Sequence, residues 1–204
     1  MTQRMLRTIT GAVAAMALLA TPALAHRLRT AKEAATVAGS DMSVTPDRDW
    51  NRLSMAPGKH AETWTLDGEQ LNDVTFYGGI APDEPLVRER SKKRDPLPKF
   101  LQSTLLVEIP ELLEGTYRTQ KNIASFELLS TEPTNFLDNK GVRFTYRYTD
   151  DDALTRNGEA RAAIVGGKLY MITFDAPRLY YFDKSIEPAR ALMTSATLPG
   201  GGAH

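Results

Sequence analysis

Residues 142–148 read Val-Arg-Phe-Thr-Tyr-Arg-Tyr, and this stretch gives the strongest secondary-structure signal in the chain. Apolar or aromatic side chains alternate here with arginine and threonine, which is the period of two that a strand with one buried face requires. We therefore expect Phe144 and its aromatic neighbours to face a core. Arg143 and Arg147 are expected to share the opposite face of a sheet.

A strand pair follows this stretch along the chain. Residues 159–165 and 168–174 both have strand composition, and Gly166-Gly167 between them suits a two-residue hairpin turn because glycine adopts positive φ without strain. The segment 169–174 reads Leu-Tyr-Met-Ile-Thr-Phe and is apolar on both faces. We expect it in the middle of the sheet, beneath at least one helix.

Further elements lie on both sides of this hairpin. Strands are predicted at residues 62–66 and 71–80, and helices with an apolar stripe are predicted at residues 109–117 and 185–197. Residues 81–99 are expected to form a charged loop because four prolines interrupt them. This order of hairpins and helices predicts an α+β fold, a mostly antiparallel sheet packed by helices.

The C-terminal half resembles a known family. Residues 158–174 read Gly-Glu-Ala-Arg-Ala-Ala-Ile-Val-Gly-Gly-Lys-Leu-Tyr-Met-Ile-Thr-Phe, and Ala176-Pro177 and Tyr181-Phe182 follow before a closing helix that ends near Ser195. This order of elements resembles the PsbP-like α/β sandwich. The hairpin predicted at residues 64–80 is similar to the early strands of that family.

The resemblance extends over residues 60–198 and implies a PsbP-like sandwich with a non-enzymatic role. Domains of that type assist or bind larger assemblies in a lumen or a periplasm-like space. The resemblance assigns no functional residue. The segments Trp-Thr-Leu-Asp-Gly at residues 64–68 and Leu-Tyr-Met-Ile-Thr-Phe at residues 169–174 also look like those of uncharacterised exported bacterial proteins.

The first 25 residues have the composition of a cleaved export signal. Arg4 and Arg7 precede an uncharged, mainly apolar run at residues 9–19, and the segment ends on small residues at Ala23 and Ala25. The run is too short for a membrane span, which needs about 20 mainly apolar residues. We expect residues 1–25 to be removed, so that the mature chain is periplasmic or extracellular and has no membrane span.

Domain boundaries follow from composition. Residues 26–48 show no periodic apolar pattern and are expected to form a flexible leader. Residues 49–198 are expected to form a single α+β domain. Residues 199–204 read Pro-Gly-Gly-Gly-Ala-His and are expected to be a disordered tail.

Overall composition excludes several classes of function. The chain has 25 basic and 25 acidic residues, and loss of the signal removes two arginines and no acid. Nucleic-acid binding needs a basic face, so we expect no nucleic-acid partner. The chain has no cysteine, which excludes disulfides, thiol nucleophiles and thiolate metal sites. We expect no cofactor.

One candidate metal ligand is His26. Cleavage after Ala25 would make it the N-terminal residue, whose amine and imidazole could together chelate copper. Secreted copper monooxygenases use such a histidine with a second one, for which His60 is the sole internal candidate. A metal site needs a rigid frame, which a flexible leader does not offer. A copper enzyme of this kind, or a hydrolase without a recognisable motif, is therefore the alternative interpretation.

The candidate ligand-binding residues lie on the predicted sheet. Arg143, Arg147 and Arg161 fall on neighbouring strands, where they either pair with acids across the strands or line a cleft for a small anionic ligand. Tyr77 and Tyr170 would frame that cleft. Our primary expectation is an exported binding or accessory module without catalytic activity, with a periplasmic protein or a small anionic ligand as its partner.

Overall fold

An eight-stranded antiparallel sheet organises the protein in a computed structural model that describes residues 27–199. The predicted export signal, His26 and residues 200–204 lie outside the described residues. The strand order is β1-β4-β5-β6-β10-β9-β8-β7, and β2 and β3 form a separate two-stranded sheet. The strands are β1 (Arg27–Arg29), β2 (Ala35–Thr36), β3 (Ser43–Val44), β4 (Trp50–Arg52), β5 (Ala61–Thr65), β6 (Asp73–Ile80), β7 (Ser125–Phe136), β8 (Asn139–Thr149), β9 (Thr155–Val165) and β10 (Lys168–Pro177).

The structure confirms the α+β class and the strands that predicted it. The alternating stretch lies in β8, where its apolar positions are buried and Arg143 and Arg147 are partly exposed on the opposite face. Gly166 and Gly167 have φ angles of 58° and 75° and turn β9 into β10. β10 lies between β6 and β9 and is buried along almost its whole length, as its apolar sequence predicted.

Two α-helices pack on the sheet, with bounds that differ from the predicted ones. α1 (Ile109–Lys121) follows a 3-10 turn (Leu106–Glu108), and α2 (Tyr181–Thr194) closes the fold. α2 begins four residues earlier than predicted because its first turn is part of the core. Phe182 stacks on Phe174 of β10 with ring centroids 5.5 Å apart. None of the helices within residues 27–199 is long and apolar enough to cross a membrane.

Residues 27–48 belong to the fold, and the predicted flexible leader is wrong for this part of the chain. β1 pairs with β4 at one end of the main sheet. Val37, Met42 and Val44 are at most 1% exposed, and Ser43 and Thr197 exchange backbone hydrogen bonds of 2.9 and 3.0 Å. The prediction failed because strands of two or three residues are too short to show a period.

The sheet separates two cores, one on each face. α2 and the β2–β3 hairpin cover the first face, with Trp50, Trp64 and Phe174 among the buried side chains. α1 and the loop of residues 81–105 cover the second face, where the aromatic side chains of β8 lie. The second covering leaves part of β6 and β10 open.

Candidate functional site

A cleft of ≈ 630 Å³ lies on the α1 side of the sheet. Strands β5, β6, β8 and β10 contribute its floor, α1 forms one wall, and residues 53–57 and 87–90 form the other. A 2.9 Å hydrogen bond from the backbone nitrogen of Arg88 to the Pro57 carbonyl ties the two loop segments together. The polar lining residues are Thr63, Glu69, Gln70, Asp73, Thr75, Tyr77, Arg88, Arg90, Tyr117, Gln120, Lys121, Tyr148, Asp150, Asp151, Arg156 and Asp175.

A second concavity of ≈ 640 Å³ lies between Leu106–Val107 and strands β7 and β8. Its lining is mainly apolar, whereas the cleft on the α1 side gathers carboxylates, phenols and basic groups. Perturbed titratable groups that converge in a cleft are a signature of functional sites. The cleft on the α1 side is therefore the candidate functional site.

Two carboxylates lie next to each other on the cleft floor. Asp73 of β6 and Asp175 of β10 are direct partners in the antiparallel register. Both side chains point to the α1 face, because Asp175 contacts Tyr117 of α1 and cross-strand partners share a face. Like charges at directly opposed positions destabilise a sheet. This arrangement is destabilising unless neighbouring groups neutralise or protonate one of the carboxylates.

Asp175 receives that compensation from α1 and β8. The carboxylate is 2% exposed and accepts hydrogen bonds from the hydroxyls of Tyr117 and Tyr148 at 2.9 and 2.5 Å. Lys121 Nζ lies 3.4 Å away. Burial alone would raise the pKa of Asp175, but the Lys121 charge, the Tyr148 hydroxyl, Arg156 and Tyr117 together hold this pKa below its usual value. Asp175 is therefore ionised at neutral pH.

The surroundings of Asp73 shift its pKa in the opposite direction, upwards. Its carboxylate accepts hydrogen bonds from the backbone N–H of Gln70, at 3.0 and 3.1 Å. Burial, and then the negative charge of Asp175, raise the pKa of Asp73 to about 7, against partial relief by Lys121 and Arg156. Asp73 therefore exchanges a proton near neutral pH, while its neighbour keeps its charge.

Buried tyrosines lie around the carboxylate pair, and two of them, Tyr117 and Tyr148, donate hydrogen bonds to Asp175. Burial, followed by the charge of Asp175, raises the pKa values of Tyr77, Tyr117, Tyr146 and Tyr148, so these phenols stay protonated. The rings of Tyr117 and Tyr148 meet edge to face with centroids 5.3 Å apart. Such contacts fix ring orientation, and so the direction in which each hydroxyl donates.

Local sequence features hold these groups in place. α1 ends at Lys121 because Asn122 takes a left-handed conformation with φ of 51°. This ending places the Lys121 ammonium 4.0 Å from the Tyr117 ring centroid, and a cation is favourable in the last turn of a helix. Gly158 is needed for a different reason: a Cβ there would lie 2.2 Å from the Tyr146 ring. Glycine lets Tyr146 pack closely against β9.

Arg156 closes one end of the cleft. Its guanidinium is paired with Asp150 at 2.7 Å, and both side chains are largely buried. It also donates to the Gln70 carbonyl at 2.5 Å, which connects β9 to the turn before β6. The turn that carries the Asp73 hydrogen-bond donor is thus fixed by an ion pair from the other half of the sheet.

The five predicted ligand-binding residues do not form one site. Tyr77 lines the cleft, but Tyr170 belongs to the core on the α2 side. Arg143 and Arg161 are register partners of each other on the α2 side, where Arg161 donates a hydrogen bond to Thr194 of α2 and Arg143 pairs with Glu159 of β9. The structure therefore does not bring Tyr77 together with the arginines, because strand alternation puts them on opposite faces.

Arg143 pairs with an acid across the strands, as the alternative to a ligand cleft predicted, and belongs to an ion-pair network. Glu159 is 0% exposed and pairs with Arg143 at 2.9 Å and with Arg190 of α2 at 2.8 Å. Arg161 donates to Thr194 of α2 at 2.9 Å, and Arg147 donates to Asn157 on β9 at 3.2 Å. The contacts of Arg190 and Thr194 hold α2 on the sheet, whereas the Arg147 contact joins β8 to β9.

The structure gives no frame for a metal within residues 27–199, where no group of three His, Cys, Asp or Glu side chains is placed to hold an ion. His60 lies in the segment before β5, and its Nδ1 atom is buried without a hydrogen-bond partner among the described residues. The other histidine of the hypothetical copper site, His26, is outside the described residues. The copper enzyme remains a hypothesis about that residue.

Sequence reasoning found Tyr77 but missed the carboxylates, Lys121 and the phenols of Tyr117 and Tyr148. One signal was available: Asp175 follows the apolar run of β10 directly, and an acid at that position of a buried strand needs partners. The partners themselves come from α1 and β8, and no sequence pattern shows that these elements meet.

Comparison with known proteins agrees with the fold. No family model matches the chain, and no curated protein matches it. The solution structure of cyanobacterial PsbP (CyanoP) from Synechocystis sp. PCC 6803 superposes with a TM-score of 0.53, at 10% identity, over 92% of this chain and 98% of that chain. This likeness shows the PsbP-like sandwich that the element order predicted.

Two further solved structures superpose less closely. A protein of unknown function from Pseudomonas aeruginosa, PA94, gives a TM-score of 0.40 at 11% identity, over 74% of this chain and 94% of that chain. LpqN, involved in cell envelope biogenesis of Mycobacterium tuberculosis, gives 0.35 at 8% identity, over 88% of this chain and 87% of that chain.

Proposed function

We propose that this PsbP-like domain is an exported, non-catalytic binding module whose α1-side cleft takes a small polar ligand. The observation that carries the proposal is the Asp73–Asp175 pair on the floor of the ≈ 630 Å³ cleft. A sheet that only needed stability would not place two acids opposite each other. Their position on the floor of a cleft of ligand size supports a role in recognition.

The form of the cleft favours a small molecule over a protein as its occupant. Its volume is in the range of small-ligand sites, about 300–1,000 Å³, and its polar groups converge on a narrow floor. Protein interfaces are broader, with about 800 Å² buried on each partner and an apolar centre. A small polar molecule is therefore the proposed occupant of the cleft.

Export is the second part of the proposal. It is supported by the charged start, the apolar run and the small residues at the end of the segment 1–25. A fold stabilised without cysteine is equally suited to reducing and oxidising compartments. Mass analysis of the protein from periplasmic and cytosolic fractions tests this part: a periplasmic species that begins at His26 is expected, and a cytosolic species with the full leader would contradict it.

The binding proposal is tested by a ligand screen read out at the cleft. Backbone NMR spectra of the mature protein are recorded against a library of polar metabolites, and hits are repeated with D73N. We expect at least one compound to shift resonances around Asp73 and Tyr148, with affinity reduced at least tenfold in D73N. The matched control is D183N, at an exposed aspartate of α2 on the other face. A folded protein with no cleft response to any compound would overturn the proposal.

One observation favours a second candidate, an enzyme that uses Asp73 as a general acid or base. A carboxyl with a pKa of about 7 titrates where such catalysts are most effective. Turnover in a hydrolase and isomerase substrate screen that disappears in D73N and persists in D183N would favour the enzyme over the module. The copper alternative is tested separately by Cu(II) titration of the mature protein: only affinity tighter than micromolar that is lost in H60A would support it.

A further inference from the structure

We infer that the cleft selects a ligand that carries both an ammonium group and an anionic group, with the ammonium held at Asp73 and the anionic group at Arg88 and Arg90. The inference rests on the proposed function, and it names the chemical class of the ligand. The support for it is that some charged groups of the cleft have ion-pair partners within the protein, whereas others are left for a ligand.

Four of the charged groups in the cleft have protein partners. Lys121 is paired with Asp175, and Arg156 is paired with Asp150. Asp175 also accepts from two tyrosine hydroxyls, so its acceptor sites are largely filled. These groups shape the floor and the end of the cleft, but their charges are neutralised in place.

Asp73 has acceptor capacity left. Among residues 27–199 its carboxylate receives hydrogen bonds from one group, the backbone N–H of Gln70, and forms no ion pair. A carboxylate can accept about four hydrogen bonds. An ammonium group supplies three donors and a positive charge, and it would relieve the repulsion between Asp73 and Asp175.

Arg88 and Arg90 lie on the loop wall of the cleft. Both are exposed, and among the described residues neither guanidinium has an ion pair or a hydrogen bond with another side chain. Their segment is nevertheless fixed, because Val87 is 4% exposed and the Arg88 backbone nitrogen bonds to Pro57. A guanidinium presents donors in a planar fork that matches carboxylate and phosphate groups.

Ligands of a single charge fit this pattern less well. An anion without an amine would face the carboxylates of the floor, and a cation without an anionic group would leave the two arginines unpaired. A zwitterion would pair its ammonium group with the carboxylate on the floor and its anionic group with the arginines of the loop wall. Exposed Glu69 and Asp151 at the rim make the lining mixed rather than uniformly basic, which also disfavours a simple anion.

The test uses four probes of defined charge in calorimetric titrations at pH 8. γ-Aminobutyrate and ε-aminohexanoate carry both groups, whereas butylamine and butyrate carry one each. We expect at least one zwitterion to bind tenfold more tightly than either singly charged probe. D73N and the double variant R88Q/R90Q should each reduce the affinity for that zwitterion at least tenfold, while R27Q, at an exposed arginine of β1, should leave it unchanged.

The pH dependence provides a second measurement. Affinity for the zwitterion should rise severalfold between pH 6 and pH 8, because Asp73 releases its proton in this interval, and it should be flat in D73N. Among the groups that face Asp73, Asp175 has a lowered pKa and Arg156 has a raised one, so both keep their charges across this interval. Lys121 faces Asp73 from α1 as the ion-pair partner of Asp175.

The outcomes separate this inference from the proposed function. Equal binding of butyrate and γ-aminobutyrate, or an unchanged affinity in R88Q/R90Q, would overturn the zwitterion inference. The same holds if the zwitterions do not bind while the metabolite screen finds another cleft ligand, and then the binding module stands. If the screen also finds no ligand at the cleft, both fail. R88Q/R90Q changes exposed side chains alone, so the test does not depend on whether D73N folds.

Discussion

Asp73 and Asp175 are direct register partners on β6 and β10, and their environments move their pKa values in opposite directions. Two carboxylates that share a site normally separate into one that keeps its charge and one that holds a proton. Here the hydroxyls and the ammonium group that surround Asp175 decide which residue stays ionised. The pair therefore provides one fixed charge and one adjustable charge on the floor of a cleft.

The first prediction concerns pH and stability. Burial and the Asp175 charge raise the pKa of Asp73 from 3.8 to about 7, so the folded protein binds more protons than the unfolded chain between these values. The contribution of Asp73 to stability therefore falls as pH rises from about 4 to about 7 and is constant above that. We expect D73N to be more stable than the wild type at pH 8 by roughly 4 kcal/mol, and to lose this advantage at pH 4.

Urea unfolding at several pH values measures this difference. The matched control D183N should stay within about 1 kcal/mol of the wild-type curve, because Asp183 is exposed and contributes only as an acid in the first turn of α2. Parallel curves for D73N and the wild type between pH 4 and pH 8 would show that Asp73 titrates normally in the folded protein.

The second prediction concerns the phenols that solvate Asp175. Y117F removes a 2.9 Å hydrogen bond to a buried carboxylate, which we expect to cost about 1–3 kcal/mol of unfolding free energy. Y180F removes the same hydroxyl from a side chain that is 68% exposed and should change stability by less than about 0.5 kcal/mol. Thermal and urea unfolding at pH 7 compare the two variants, and equal effects would refute the assigned role of Tyr117.

The third prediction concerns the ion pairs beneath α2. Burial alone would raise the pKa of Glu159, but Arg143 and Arg190 lower it overall, so the folded state favours the charged form. E159Q should destabilise the protein by about 3–5 kcal/mol at pH 7, because two arginines lose their shared carboxylate. The matched control is E132Q, which removes an Arg143 ion pair of 3.4 Å whose glutamate side chain is 59% exposed. It should change the free energy of unfolding by no more than about 0.5 kcal/mol.

The pH profile gives a further check of Glu159. A depressed pKa contributes stability at neutral pH that is lost as pH falls through the folded value. The difference between the wild type and E159Q in urea unfolding should therefore shrink on acidification below pH 4. A difference that stays constant down to pH 2 would contradict this assignment.

The fourth prediction concerns the N-terminal segment that packs on the α2 face. Met42 is 0% exposed. Met55 is 82% exposed and serves as the control, because the same substitution can be made there without removing buried atoms. M42A should cost about 2–5 kcal/mol, because it removes buried methylene groups and leaves a cavity, whereas M55A should be close to neutral. Equal stability of the two variants in urea would support a flexible leader over residues 26–48 after all.

The parts of the fold that sequence predicted are those with a local cause. The alternation in β8 and the glycine pair between β9 and β10 act over a few residues, so both could be located without a structure. The segment 27–48 has strands of two or three residues and is held by contacts with the distant C-terminal end, such as Ser43 with Thr197. Burial of that kind leaves no periodic trace in the sequence.

The cleft was unpredictable for a related reason. Its acids lie in β6 and β10, its tyrosines in α1 and β8, and its exposed arginines in the loop after β6. The alternation of β8 did assign Tyr148 to a buried face, but only the sheet order shows that this face also carries Asp73 and Asp175. The arginines of the opposite face were more conspicuous in sequence. In the structure they form ion pairs and hydrogen bonds that connect β8, β9 and α2.

The most direct test of the account is the titration of the Asp73 carboxyl carbon by NMR, with and without a ligand found for the cleft. We predict a midpoint of about 7 in the free protein, and a lower midpoint when a ligand with an ammonium group is bound. A midpoint near 3.8 that no cleft ligand changes would contradict the claim that this carboxylate pair is a binding site.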